Sequence, residues 1–241
     1  MTAAKPEYPL TLIVAKGGEL AWLGHLDVAR ALERALRRAD LPVRFTEGFH
    51  KRIKMRLPEP LPLGVGSDGE RYVLQLDAPV DPVVALAPLA GALPRGLEVV
   101  AVLPGSHPEK KDVPLLLEFE AESAQELAEA FAALAQPLPV LGGEWRLVEP
   151  VTELPDGGRA LVRLEAPPGA RVSVGRFLEA LRSARAGGLA LRRVWRRVAW
   201  QVTDGSLPSP TPFLPATPAS DGGDGSGVDG SATRPPPVEP R

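Results

Sequence analysis

The sequence predicts an α+β chain: two ferredoxin-like (βαββαβ) domains in tandem, followed by a disordered Pro/Gly-rich C-terminal tail. Three observations predict it. Short apolar runs alternate with helix-periodic stretches, and the order strand, helix, strand, strand, helix, strand occurs twice before residue 204. Hydrophobic residues make up 44% of the 241, enough for packed cores, and they thin out sharply from Asp204 onward. No stretch reaches the roughly 18 apolar residues of a spanning helix, and the early run at 10–15 is too short for a signal core, so no membrane role is expected.

The first unit is expected at residues 8–104. LTLIVAK (10–16) reads as a strand. In HLDVARALERALRRAD (25–40), Val28, Leu32, Ala35, Leu36 and Ala39 recur at helical spacing, and Asp27 falls in the first turn, where an acid suits the helix dipole. LPVRF (41–45) reads as a short strand, followed by a long loop containing Pro58, Pro60, Pro62, Gly64 and Gly66. RYVLQLD (71–77) is a strand. DPVVALAPLAGAL (81–93) is a helix opened by Asp81 and Pro82, and GLEVVAVL (96–103) closes the unit as a strand.

The second unit is expected at residues 113–203, with the boundary near PGSHPEKKD (104–112). VPLLLEFEA (113–121) is a strand. SAQELAEAFAALA (123–135) is a helix in which Ser123 and Glu126 form a capping-box pattern. EWRLVE (144–149) and RALVRLEA (159–166) flank the turn LPDGG as in a hairpin. SVGRFLEALRSA (173–184) is a helix and LALRRVWRRVAWQV (189–202) the last strand. The tail, 204–241, is Pro, Gly, Ser, Thr and Asp. It cannot bury enough surface to offset its ordering entropy, and so is expected to be disordered.

The net charge is only −2, and the tail accounts for −3 of it, leaving the remainder near +1. Within that balance the positive charge is segregated. Arg30, Arg34, Arg37 and Arg38 form a stripe on the first helix, opposite its apolar face. Arg44 and the run GFHKRIKMR (48–56), with Phe49, His50, Lys51, Arg52, Lys54 and Arg56, follow directly. Between Arg30 and Arg56 nine basic residues face only Glu33, Asp40 and Glu47. Such a patch beside a Gly/Pro-rich loop suits a polyanion, with Phe49 or His50 able to stack on an unpaired base. A second basic run lies in the last strand, where alternation puts Arg192 and Arg196 on one face and Arg193 and Arg197 on the other. The competing reading is a solvated helix face held by i,i+4 pairs such as Glu33 with Arg37.

Catalytic signals are sparse. With no cysteine, disulfides, thiol nucleophiles and cysteine-bound iron–sulfur or zinc sites are excluded, and the chain suits a reducing, cytoplasmic setting. The three histidines, His25, His50 and His107, have no zinc-ligand spacing, so no metal or cofactor is expected. His25 is a candidate general acid or base, oriented by Asp27 or a spatially adjacent acid; the alternative is a helix-entry packing role. His50, in the field of Lys51, Arg52 and Lys54, would favour its neutral form and could act as a base in metal-free RNA cleavage. PLPLGVGSDGE (60–70) lacks the Gly-Lys-Ser/Thr of a phosphate loop. Gly48, Pro62, Gly64 and Glu70 are expected to structure the loop, Glu70 by hydrogen bonds or by pairing a loop arginine.

LGHLDVARALERALRRADLPVRFTEGF (23–49), followed by PLPLGVGSDGE, resembles the radical-SAM-linked proteins, an uncharacterised family, through His25, Leu26, Asp27, Glu33, Arg34, Arg38, Leu41, Pro42, Gly48, Phe49, Pro62, Gly64 and Glu70. The likeness covers about residues 10–102. Gly24 stands where that pattern has Ser, and His50 to Ile53 replace Asn-Pro-x-Pro ahead of Lys54. The resemblance implies association with a radical-SAM protein, and a chain without cysteine cannot itself hold that enzyme's cluster. The leading expectation is therefore a non-catalytic RNA-binding or substrate-presenting accessory protein. The alternatives are a metal-independent RNA-processing endoribonuclease of two ferredoxin-like domains, or a protein–protein interaction module without nucleic acid.

Overall fold

A computed structural model describes residues 6–108, 114–134, 144–165 and 173–197; the expected tail (204–241), part of the expected boundary and the end of the last expected strand lie outside these residues. The architecture is mixed α+β, with four α-helices packed on one large sheet. In chain order the elements are β1 (Tyr8–Lys16), a 3-10 turn (Gly18–Trp22), α1 (His25–Arg38), β2 (Met55–Arg56), β3 (Val65–Leu76), α2 (Pro82–Ala92) and β4 (Leu97–Pro104). There follow β5 (Leu115–Ala121), α3 (Ala124–Ala133), β6 (Glu144–Leu147), β7 (Thr152–Leu154), β8 (Gly157–Glu165), α4 (Val174–Ser183) and β9 (Leu191–Arg197).

The sheet runs β4-β1-β3-β9-β5-β8-β6, with β2 on β3 and β7 on β8. Pairing is antiparallel within each half of the chain. The two halves meet where Val65–Ser67 of β3 run parallel to Val194–Arg196 of β9. Each half has its own apolar cluster. Leu12, Leu32, Leu36, Leu74 and Leu89 centre the first, and Phe119, Phe131, Trp145 and Phe177 stack edge-on or tilted in the second.

Local chemistry accounts for the helix starts. Asp81 accepts from the Val83 amide at 2.9 Å and Ser123 from that of Glu126 at 3.2 Å, each satisfying an orphan donor of the first turn. Ser173 does the same for α4. α1 instead starts at Gly24, with no side-chain cap, and its stability comes from the buried face Val28, Leu32, Ala35 and Leu36.

Three expectations are corrected. Residues 41–45 are not a strand: Val43 and Phe45 make only isolated bridges, to Leu76 and Ile53, and the strand beside β3 is Met55–Arg56. Asp40 turns the chain into left-handed space at φ 53°, and Pro42 has no amide to donate, so no ladder starts there. β3 begins at Val65, inside the expected loop, because Gly66 lets the strand pass against Trp195, where a side chain would not fit. The tight turn around Pro155 and Asp156 joins β7 to β8, not β6 to β8; β6 pairs further along, Glu144 opposite Glu165.

Candidate functional site

The basic surface is built on α1 and the loop after it. Arg30, Arg34, Arg37 and Arg38 are all exposed, as the helical stripe requires. Several of the cations are tied to acids. Glu33, largely buried on α1, holds Arg52 at 3.1 Å and Arg37 at 3.7 Å, which pins the loop to the helix. Arg37 also lies over the Phe45 ring, 5.8 Å from its centroid. Glu7 holds Lys54 at 2.8 Å and Arg44 at 3.4 Å, and Asp77 holds Arg44 at 2.9 Å. The Lys54 ammonium, then Arg44, keep the Glu7 carboxyl below its ordinary range. Arg30 pairs with Asp27 at 2.9 Å, and Arg38 donates to the Ala92 carbonyl.

Arg34, Lys51 and Arg56 make no ion pair with a described residue. At the loop tip Phe49 is fully exposed next to Gly48, whose φ of 117° few side chains tolerate. His50 is exposed beside it. The loop therefore combines a fixed base, free cations and an unsheathed aromatic ring.

A second constellation lies where β1, β3 and β9 converge beneath the start of α1. Glu70, 4% exposed, meets Arg196, 6% exposed, at 3.4 Å through Oε2, while its Oε1 has no hydrogen-bond partner among the described residues. Lys16, at the end of β1, is equally buried and donates to the Leu23 carbonyl at 3.1 Å. Burial pushes the Lys16 ammonium to a lower pKa, and Glu70 opposes the shift. The His25 imidazole is also lowered, first by burial; Glu70 works against that shift and Lys16 adds to it. Burial and then Glu70 raise the Tyr72 phenol. The acid acting on His25 is thus Glu70, whereas the Asp27 carboxylate is taken by Arg30.

Glu70 pairs with an arginine of the last strand, not of the loop. Gly64, at φ 80°, packs under the Trp22 ring, and Pro62 accepts the Val65 amide. Arg192 is exposed and pairs with Asp156 at 2.8 Å. His25 is half-buried beside Glu70 and Lys16, whereas His50 is exposed at the loop tip. Sequence reasoning missed Lys16 and the indole of Trp22. The available signal was a lysine ending an otherwise apolar strand, and a tryptophan just before the first helix. Among the described residues no group of three or more His, Asp or Glu side chains could hold a metal ion, and no helix is long and apolar enough to cross a membrane.

A family model described as "Uncharacterized protein conserved in bacteria (DUF2344)" matches residues 10–136, more than half of the chain. No curated protein matches the sequence. Among solved structures the chain is similar to an unknown protein from Galdieria sulphuraria, with 16% identity and TM-score 0.25 over 74% of this chain and 90% of that one. It is also similar to a microcompartments protein from Desulfitobacterium hafniense DCB, with 16% identity and TM-score 0.19 over 76% and 90% of the two chains. At those scores neither likeness bears on fold or function.

Proposed function

Since the chain belongs to the family of uncharacterized proteins conserved in bacteria (DUF2344), whose name carries no activity, we propose a function from its own surface: it is a non-catalytic RNA-binding protein. The loop at 46–56 and the outer face of α1 grip the phosphates. One observation carries this reading. Glu33 and Glu7 fix the loop through Arg52 and Lys54, while Arg34, Lys51 and Arg56 keep charge that no described acid neutralises, and Phe49 stands exposed beside them. Unneutralised cations displace the condensed counterions of the phosphates, and a bare aromatic ring stacks on any base.

Two finer statements belong to the same proposal. The halves at 8–104 and 113–203 are each a ferredoxin-like domain, a reading supported by the strand orders β4-β1-β3-β2 in the first and β9-β5-β8-β6 in the second, with β7 an addition on β8. The protein works beside a radical-SAM enzyme that supplies the cluster chemistry, a reading that rests on the resemblance of the motifs from His25 to Glu70.

The test is titration of the full chain with single-stranded RNA across a salt series. Three phosphate contacts alone give a log–log slope of about −2. Reversing Arg34, Lys51 and Arg56 together to Glu abolishes binding and leaves the circular dichroism spectrum unchanged. Arg52 and Lys54 are left alone because reversing them would set acid against Glu33 and Glu7. Binding that survives the triple reversal would overturn the reading.

A further inference from the structure

The two outer strands of the sheet are built differently. β6 closes one side with four residues, of which Glu144 and Arg146 are exposed charges. So short and charged an edge resists pairing with another strand. β4 closes the other side with eight, LEVVAVLP. Its one described partner is β1, so among the described residues the outer row of its N–H and C=O groups is unpaired. The usual defences of an edge are thin here. Glu98 is the one charge, Pro104 comes at the last position, and a single bulge shifts the register between Val99 and Ala101. α2 lies beside this edge. Its Ala85 and Leu89 pack in the cluster that holds Leu97 and Val99. Every residue of PVVALAPLAGA is apolar, so the face turned to solvent is as apolar as the face turned to the core. Val83 is 80% and Val84 67% exposed, and Leu86 is exposed with them. A helix apolar all round normally lies within a core. Arg38 of α1 donates to the Ala92 carbonyl and marks the inner flank of α2. A helix about 10 Å across spans two strands about 4.8 Å apart, so the other flank stands level with the outer edge of β4.

We propose that the outer edge of β4 and the exposed face of α2 form an interface with a second copy of this chain. β4 pairs antiparallel with its counterpart across a two-fold axis, which continues the sheet through both copies, and the two α2 helices pack against each other on one side of it. An open edge takes a strand as its partner. The chain's own C-terminal stretch is a poor source of one. Pro208, Pro210, Pro212, Pro215 and Pro218 break any row of donors, and residues 219–233 are mostly Gly, Asp, Ser and Ala, weak strand formers. Charge permits self-pairing. With the axis between Val100 and Ala101, Glu98 stands opposite the partner's Leu103, and the two Glu98 positions lie about 17 Å apart along the strands. α2 brings no charge to the contact. The strand is about 27 Å long and the helix about 16 Å, so together they cover on the order of 500 Å² per copy, about 1,000 Å² in the pair, the lower bound of a specific interface. The dimer is therefore expected in the micromolar range. This inference stands apart from the RNA-binding reading, whose residues lie on α1 and the loop at 46–56.

The experiment is sedimentation equilibrium of the full chain from about 1 to 500 μM, where the average mass should rise from one chain towards two. The variant is Val83→Glu with Val84→Glu. The two positions are exposed and about 100° apart round the helix, so one of them meets the partner whichever flank of α2 is covered. Both lie in the first turn, where an acid suits the helix dipole, so the circular dichroism spectrum should not change. Uncompensated carboxylates in the contact should weaken the dimer by at least about tenfold. Hydrogen exchange followed by mass spectrometry tests the strand pairing itself. The outward amides of residues 97–104 should exchange several-fold more slowly in concentrated than in dilute protein, and the variant should lose that difference. A chain that stays monomeric throughout the series, or a dimer indifferent to Val83→Glu with Val84→Glu, would overturn the interface. So would a dimer whose 97–104 amides exchange as fast as the monomer's. Protection of those amides in the monomer at every dilution would assign the edge to residues of the same chain and overturn it as well.

Discussion

Gly66→Ala tests the seam between the two halves. Gly66 lies opposite Trp195 in the parallel register of β3 and β9. A Cβ there would come closer than 3.0 Å to the indole ring and to 2.9 Å from the Lys16 carbonyl. The optimum for carbon contacts is about 3.5–4.0 Å, so one partner must move. Backbone on the Lys16 side cannot yield cheaply. Trp195 is buried, its Nε1 donates to Asp68, and Arg193 lies 5.6 Å from its ring centroid. Overpacking costs about 1–3 kcal/mol, and a ring pushed off Asp68 forfeits a hydrogen bond to a charged group worth about 1.5–3 kcal/mol. The expected loss is therefore roughly 3–5 kcal/mol in urea denaturation followed by near-ultraviolet circular dichroism. Gly91→Ala is the control. It sits inside α2 with nothing within 4 Å of an added Cβ, and should stabilise by about 0.5–1 kcal/mol. A Gly66→Ala protein within about 1 kcal/mol of wild type would refute the close-packed seam.

Other substitutions test individual parts. Asp81→Ala removes the cap that accepts from the Val83 amide and should cost about 0.5–2 kcal/mol in thermal unfolding, whereas Asp81→Asn should cost little. Phe49→Ala should leave stability unchanged, since the ring is fully exposed, yet weaken single-stranded RNA by about 1–3 kcal/mol in fluorescence anisotropy. His25 has a folded pKa below its unfolded value, so the native state binds fewer protons. Stability should therefore fall as pH drops from the ordinary histidine value of 6.5 through the lowered folded value. In His25→Gln that part of the acid slope should disappear from a pH series of urea midpoints.

Wherever burial follows from local periodicity, the fold was legible. The apolar face of α1, the Asp81, Ser123 and Ser173 starts and the alternation in β5 all sit where the pattern of residues puts them. Legibility failed where tertiary contact overrides local preference. Nothing local tells that Gly66 is needed beneath Trp195, 129 residues away in sequence, so a strand start read as loop. The basic residues of the surface were visible, but their pairing was not, because Glu7 and Asp77 come from strand ends far from the loop they hold. The buried Lys16, and the burial and strand partner of Glu70, escaped for the same reason. Each borders a Gly-rich stretch that suggests exposure, and only the junction of three strands encloses them.

The same pairing decides which arginines can meet phosphate. In the stretch from Arg30 to Arg56, five of the nine cations are held by acids, and Asp27, Glu7 and Asp77 are drawn in from outside it, leaving Arg34, Lys51, Arg56 and Arg38, which donates to the Ala92 carbonyl, as a net positive surface. β9 differs. Arg192 meets Asp156, Arg193 meets Glu118 and Glu120, Arg196 meets Glu70, and Arg197 lies between Glu118 and Asp68. Five acids surround the four arginines there, so each guanidinium is already paired and offers a polyanion little. Arg192, whose pair is exposed and worth little, is the one member free to exchange partners. Arg192→Gln should therefore change RNA affinity by less than about twofold and leave the salt slope alone, while Arg34→Gln should flatten the slope by about 0.7. A flatter slope in Arg192→Gln would mean that the phosphate path runs over β9 and that the grip extends beyond α1 and its loop.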